Sequence, residues 1–325
     1  MSQIEESGSE KVGFVYWCDG AGHAARCIPV IKELRDRGIG VAVGGGGQGE
    51  RFVDMNGFDQ PDFTQVTVEG DNLFDGLRHT VFDLIPSAAK RMKEVYSWMN
   101  REDPDKVISD DLFALVAAMV QRREFYRIDH LTTDLFGPIW GIPLKIYNKS
   151  SLLFGEQIIV TSLWKEDVDS KGITGVDPLA QEGESDDEIE EYDVLINPGT
   201  HGKQFDEIQE RLEEEGLDVR AVGDSQWETK KSMTPYTEKA DVVICTGFSS
   251  IADTVVAGTK CIVYPFLPFQ KAIAHEIDER QLQGLFGSYS PDEVVETALE
   301  CVEEEGGNPE YENGAGEFVD EVMKN

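Results

Sequence analysis

The segment Ala240 to Pro265, ADVVICTGFSSIADTVVAGTKCIVYP, constrains the fold more than any other part of the chain. Its apolar runs, Val242 to Ile244 and Cys261 to Tyr264, fit buried parallel strands, and the residues between them fit a helix, so the segment reads as a βαβ crossover. Thr246, Gly247, Ser249 and Ser250 fall at the carboxyl end of the first strand. There, glycine permits a tight turn, and hydroxyls with the amides of a helix N-terminus can hold phosphate oxygens. Asp253 follows one turn into the helix. A carboxylate there either accepts hydrogen bonds from a ribose diol or simply complements the positive end of the helix dipole.

The same alternation runs through the chain. An apolar strand from Val12 to Trp17 leads through a glycine-containing loop into a helix from about Ala24 to Arg37, whose buried face carries Ile28, Val30, Ile31 and Leu34. Gly38 stops that helix, and a second strand ends at Val43 before the loop Gly44 to Gly47. Next come a strand around Phe63 to Val68, a helix from Ile85 to Met99, a strand at Lys106 to Ile108, a helix from Leu112 to Arg122 and a strand at Tyr126 to Ile128. Residues 166–191, with scattered glycine and the acidic run Glu182 to Glu191, read as an acidic linker or solvated loop. A second series opens with a strand at Tyr192 to Ile196 and the turn Pro198 to Gly202. It continues with a helix from Lys203 to Glu215, a strand at Asp218 to Val222, the βαβ segment, a helix from Asp292 to Glu304 and an amphipathic segment from Phe318 to Met323. The expectation is an α/β protein of two Rossmann-like domains, 11–165 and 192–305, with a tail at 306–325. Ligands of such parallel sheets bind at strand carboxyl ends, here in an interdomain cleft.

Charge narrows the function. The net charge of −34 and pI near 4.3 argue against a nucleic-acid partner, because phosphate backbones are bound through Lys and Arg. An acidic surface of this kind fits a halophilic protein kept in solution by hydrated carboxylates. Residues 1–165 hold 18 Lys and Arg against 24 Asp and Glu, and the remainder holds 11 against 39, so the N-terminal half is nearly neutral. It also carries the main basic cluster, Lys90, Arg91, Lys93 and Arg101, among Met92, Val95, Trp98 and Met99. This is either a membrane or lipid-acceptor face or an ordinary amphipathic helix. No apolar run reaches the ~20 residues of a membrane span, and MSQIEESGSE is too polar for a secretory signal. The expected location is cytoplasmic, with peripheral contact at the inner membrane face as an open alternative. The five cysteines and five histidines form no zinc-ligand spacing, so no metal and no cofactor are expected, and the thiols read as buried and free.

Several loops carry candidate chemistry. Asp19-Gly20-Ala21-Gly22-His23 places an imidazole between the first strand and its helix, where it can act as a base near neutral pH or serve as a cap. Asp19 could orient that ring, and Arg26 could meet a phosphate or a sugar. Gly199-Thr200-His201-Gly202 offers backbone amides to a second phosphate. Ser109-Asp110-Asp111 and Asp129-His130 lie at strand ends, where they contact an acceptor or cap helices. Gln270 either hydrogen-bonds a sugar or begins a solvated helix. Neither a GxxxxGK[ST] loop nor a well-formed GxGxxG fingerprint is present.

With these motifs placed, the chain resembles GT-B glycosyltransferases, the group that includes the bacterial peptidoglycan N-acetylglucosaminyltransferase and the UDP-glycosyltransferases. GAGHAARCIPVIKEL is similar to the glycine-rich GxGH loop and its helix, in the GxGHxxR form of archaeal members, and ADVVICTGFSSIADTVVAGTKCIVYPF resembles the nucleotide-sugar signature. The resemblance implies a UDP-sugar donor, with Gly247, Ser249 and Ser250 (beside Thr246) on the diphosphate, Asp253 on the ribose and Gln270 on the sugar. Gly199, Thr200 and Gly202 would form the other phosphate loop. His23 would be the base, aided by Asp19, and Gly20, Gly22, Arg26, Asp110 and His130 would face a lipid or glycan acceptor. Phe269 stands where an acidic residue often precedes that Gln, and Ile273 where Asn is common, which leaves the donor open. The GHxxRC sequence also resembles nucleotide-sugar hydrolases of this fold. A UDP-sugar epimerase and a non-catalytic binding subunit remain as alternatives.

Overall fold

In the computed structural model, residues 10–18, 21–66, 85–130, 141–183, 189–199, 201–223 and 230–324 are described. The chain forms two compact units, one from the residues up to His130 with 143–176 and the segment from Ala315, the other centred on 177–314.

The first unit begins with β1 (Lys11–Val15), α1 (Ala21–Asp36), β2 (Gly40–Gly44), α2 (Glu50–Met55) and α3 (Ile85–Glu102). It continues through β3 (Lys106–Ser109), α4 (Leu112–Gln121), β4 (Glu124–Asp129), α5 (Gly141–Phe154), β5 (Gln157–Thr161) and β6 (Ile173–Val176). The strands form one sheet in the order β2-β1-β3-β4-β5-β6, every neighbour parallel. Strands buried on both faces need continuous apolar runs, and β1 meets this with Val12, Phe14 and Val15 inaccessible to solvent. α1 buries Ile28, Val30, Ile31 and Leu34 and ends at Gly38, whose φ of 78° lets its N–H turn back to Arg35 O. Full burial of each such side chain stabilises the fold by roughly 1.5–3 kcal/mol.

The second unit holds β7 (Tyr192–Asn197), α6 (Asp206–Glu214), β8 (Val219–Ala221), α7 (Thr234–Thr237), β9 (Ala240–Cys245) and α8 (Phe248–Val256). After these come β10 (Lys260–Val263), α9 (Pro268–Arg280), β11 (Leu285–Gly287) and α10 (Pro291–Glu303). Its sheet runs β11-β10-β9-β7-β8, again all parallel. The last helix, α11 (Ala315–Met323), returns to the first unit, where Val322 O accepts from the buried Lys106 Nζ at 2.9 Å.

Each sheet has one place where the chain reverses its direction of winding: between β1 and β3 in the first, between β7 and β9 in the second. Loops at the carboxyl ends of such a strand pair diverge and leave a crevice. His23 and Asp110 follow β1 and β3. The Gly199 and Thr246 turns follow β7 and β9.

The structure departs from the sequence expectations in several places. Residues 63–66 form no strand; Phe63 instead packs edge-on against Trp98 and donates its N–H to Gly45 O, while residues 67–68 lie outside those described. Residues 173–176, expected in a linker, pair with β5 as the edge strand β6, too short and too polar to announce itself by periodicity. Residues 268–280 form α9, a helix with Pro at its first position, so the helix start offered at Gln270 is found two residues earlier, with Gln270 buried rather than solvated. Arg91 is no part of an exposed basic cluster: it is fully buried, with Nη2 2.6 Å from Asp111 Oδ2. All five cysteines are buried free thiols, as the sequence indicated. Among the described residues no helix is long and apolar enough to cross a membrane.

Candidate functional site

In the first unit, α1 starts immediately after the β1 loop, with Gly22 and His23 in its first turn and Arg26 one turn further. Asp110 lies between the end of β3 and the start of α4, and the N–H of Trp17 donates to its Oδ1 at 2.7 Å. Its Oδ2 lies 2.6 Å from His23 Nδ1 and 2.9 Å from Arg26 Nη2. A carboxylate only accepts, so the proton of the His23–Asp110 bond sits on Nδ1, and in the neutral ring the lone pair is then on Nε2. Arg26 Nη2, also 2.6 Å from that Nδ1, then donates to the carboxylate rather than to the ring. Burial alone would raise the Asp110 carboxyl, but the charge of the His23 ring when protonated and that of Arg26, with the His23 and Trp17 hydrogen bonds, hold it well below the usual carboxylate range. The His23 side chain remains 30% exposed, so the ring is accessible while its partner is buried.

Arg26 reaches a second imidazole, donating from Nη1 to His130 Nδ1. Burial, then the positive charge of Arg26 and that of His23 when its ring is protonated, push His130 well below its ordinary value and keep it neutral. Behind it, Arg127 pairs with Asp129 and Asn148 and lies 3.9 Å over the Tyr147 ring. The Arg26 Nε is buried with no hydrogen-bond partner among the described residues. Thus His23, Arg26, Asp110 and His130, separated in sequence, meet at the β1/β3 reversal. Asp19 and Gly20 lie outside the described residues. The side chain on the His23 ring is Asp110, a pairing the sequence did not single out. Its only cue was the position of Asp110 at the end of a strand.

In the second unit, Gly199 adopts φ 59°, a conformation that favours glycine, and its Cβ position would be 3.4 Å from Thr246 Oγ1. The two turns are therefore neighbours, as the pairing of Asn197 with Cys245 requires. Gly247 caps α8 with φ −114° and ψ 153°, values any residue adopts, and a Cβ added there would meet nothing within 4 Å. Neither backbone nor packing requires glycine at this position. Its absence of a side chain keeps the α8 N-terminus open to close approach. Ser249 and Ser250 lie in that first turn, both partly exposed. Gly202 is exposed at the start of a short 3-10 turn, and Thr200 lies outside the described residues.

Asp253 stands one turn into α8, partly accessible, and accepts from the Gln181 N–H; desolvation outweighs that hydrogen bond and pushes its carboxyl up to about 7. Gln181 gave no signal in the sequence, since it sits in the stretch expected to be a linker. Gln270, expected either to contact the sugar or to begin a helix, lies in the first turn of α9 and is 5% exposed, and its Oε1 accepts from the N–H groups of Phe266 and Leu267, both at 2.9 Å. It shapes the turn after β10. Beside it the His201 and Phe266 rings stack at 4.8 Å and 8°, a flat surface the sequence did not disclose. Among the described residues no group of His, Cys, Asp and Glu could hold a metal ion.

No protein-family model matches the sequence, and no curated protein is similar to it at a significant level. Solved structures are similar throughout. Streptomyces sp. SF2575 glycosyltransferase SsfS6 complexed with thymidine diphosphate aligns with TM-score 0.68 at 13% identity, over 97% of this chain and 100% of its own. An Arabidopsis thaliana glycosyltransferase structure complexed with UDP-L-rhamnose aligns with TM-score 0.64 at 11% identity, over 90% of each chain. A Listeria monocytogenes chain provisionally assigned as a UDP-N-acetylglucosamine 2-epimerase gives TM-score 0.66 at 11% identity, over 98% of each. These likenesses are in fold: two Rossmann-like units of the GT-B glycosyltransferase architecture, each built on a parallel sheet flanked by helices.

Proposed function

We propose that the chain is an inverting glycosyltransferase that moves a sugar from a nucleotide-diphosphate donor, a UDP-sugar, to a hydroxyl of a lipid or glycan. The observation that carries this reading is the His23–Asp110 pair, 2.6 Å apart, at the winding reversal of the first sheet. With Nδ1–H held by a buried carboxylate, His23 Nε2 takes the proton of the acceptor hydroxyl. The oxygen then attacks the anomeric carbon as the bond from that carbon to the diphosphate oxygen breaks, and configuration inverts. Asp110 stabilises the imidazolium as it forms. Arg26, bonded to the same carboxylate, fixes its position.

In the second unit, the Thr246 and Gly199 turns with Ser249 and Ser250 supply hydroxyls and amides to the departing diphosphate, so charge stabilisation is built from groups already in place. Asp253 accepts from the ribose hydroxyls. Support for a nucleotide ligand comes from the similar structures, whose complexes hold thymidine diphosphate and UDP-L-rhamnose.

The epimerase reading needs carboxylates free for acid and base work, and the two obvious ones are committed: Asp110 to His23 and Asp111 to Arg91. Calorimetric titration with UDP-sugars, TDP-sugars and free nucleotides, followed by product analysis with lipid extract, tests the proposal. Binding with transfer to an acceptor supports it; free sugar released whatever the acceptor supports the hydrolase, and no nucleotide binding by any member of the panel removes both.

A further inference from the structure

α5 presents to solvent a face that combines exposed apolar side chains with lysines and carries no carboxylate. At 100° per residue, Lys145, Ile146, Lys149, Leu152 and Leu153 fall within one face roughly 120° wide. Ile146 is 62% exposed and Leu153 69%, with Leu152 at 38% and Phe154 at 49%. Lys145 and Lys149 are exposed as well. The opposite side is committed to the fold: Tyr147 packs on the cluster containing Phe125 and Ala114, and the buried Ser151 donates to Tyr147 O at 2.9 Å. The helix sequence, GIPLKIYNKSSLLF, contains no carboxylate, in a chain with 63 Asp and Glu.

We propose that this face seats the protein on an anionic lipid surface, with Ile146, Leu152 and Leu153 entering the headgroup boundary and Lys145 and Lys149 meeting lipid phosphates. Charge decides the occupant. The chain as a whole, with a net charge of −34, is repelled by an anionic bilayer, so contact must be made where carboxylates are missing and cations are available. α3, which the sequence offered for this role, serves less well: its Arg91 is buried, Lys90 Nζ lies 3.7 Å from Glu94, and Arg101 is paired with Glu102 at 3.0 Å. The lysines of α5 have no ion-pair partner among the described residues. The inference stands independently of the transferase reading, because it concerns a face and not the reaction.

The test is flotation of the full chain with vesicles of phosphatidylcholine alone or mixed with phosphatidylglycerol, at an ionic strength where circular dichroism shows the fold intact. The wild type should float with the mixed vesicles. Ile146→Ser/Leu153→Ser and Lys145→Glu/Lys149→Glu should each cut the bound fraction by about tenfold, the latter effect shrinking as salt is added. Lys90→Glu/Lys93→Glu should float like the wild type. Because the substituted side chains are exposed, all three variants should keep the wild-type spectrum and Tm. A wild type that stays at the bottom, or α5 variants that float as before, would overturn the proposal. So would a concentration-dependent dimer, seen by sedimentation velocity, that Ile146→Ser/Leu153→Ser abolishes without any vesicle binding.

Discussion

His23 Nδ1 and Asp110 Oδ2 lie 2.6 Å apart although 87 residues separate them in the chain. That bond fixes which ring nitrogen carries the proton, and so which one can act as a base. It also places one charge-bearing pair at the sheet's winding reversal, between loops that follow β1 and β3.

His23→Ala should lower transfer by roughly 10²–10⁴-fold while leaving donor affinity nearly unchanged. Asp110→Asn keeps the shape but offers an amide N–H to Nδ1, which favours the proton on Nε2; kcat should fall by about 10²-fold or more with KM little altered. Steady-state kinetics beside calorimetry separates the two quantities. Equal losses in donor affinity would move both residues out of the proposed roles.

Gly247→Ala should cost less than about 1 kcal/mol of stability, since its φ of −114° and empty surroundings accept a methyl group. Donor binding should nevertheless weaken at least about tenfold, because the methyl would stand where a phosphate approaches the α8 N-terminus. Thermal melts with and without UDP would show this: an unchanged Tm for the free protein and a smaller ligand-induced rise. A full ligand-induced rise would mean that the donor does not approach this turn.

Asp253 couples stability to pH with an unusual sign. Desolvation raises its carboxyl to about 7 in the folded chain, so between its unfolded value near 4 and this value the folded state holds the extra proton. Stability therefore falls as pH rises through that window, by an amount on the order of a few kcal/mol. Asp253→Asn should remove this slope and raise Tm at about pH 8, while weakening donor binding if the ionised carboxylate accepts from ribose hydroxyls. Melting curves from about pH 5 to 8 test the first effect and titration the second. A stability slope identical to the wild type would contradict the account.

Arg91 and Asp111 form a fully buried ion pair, with further bonds from Arg91 to Thr64 O and Tyr16 O and from Phe113 N to Asp111 Oδ1. Arg91→Leu strands the Asp111 carboxylate and two carbonyls without partners. Destabilisation of roughly 3–5 kcal/mol is expected in denaturant unfolding. Lys90→Ala, one residue away and exposed, should change stability by less than about 0.5 kcal/mol. Similar losses for both would show that α3 is anchored by something other than this pair.

Local sequence was enough for what depends on local pattern. Apolar runs marked β1, β7, β9 and β10, helical periodicity marked α1 and α10, and Gly38 marked a helix end, because burial on a parallel sheet and the φ of a helix stop are dictated by residue type. The strand ends in turn located the His23, Gly199 and Thr246 turns. Tertiary structure decided the rest. That Asp110 rather than another carboxylate meets His23 follows from β3 lying next to β1, a strand order no periodicity encodes. Arg91 reads like its neighbours Lys90 and Lys93, yet only the fold, by setting Asp111 opposite, takes it out of water. Gln270 Oε1 is taken up by the turn after β10, which left two N–H groups for it. The exposed apolar face of α5 likewise has the composition of a core helix, and only its position at the surface distinguishes it from one. Sequence pattern carries the preferences of each residue for water and for backbone shape; which distant groups share a low-dielectric space is fixed when the sheets assemble.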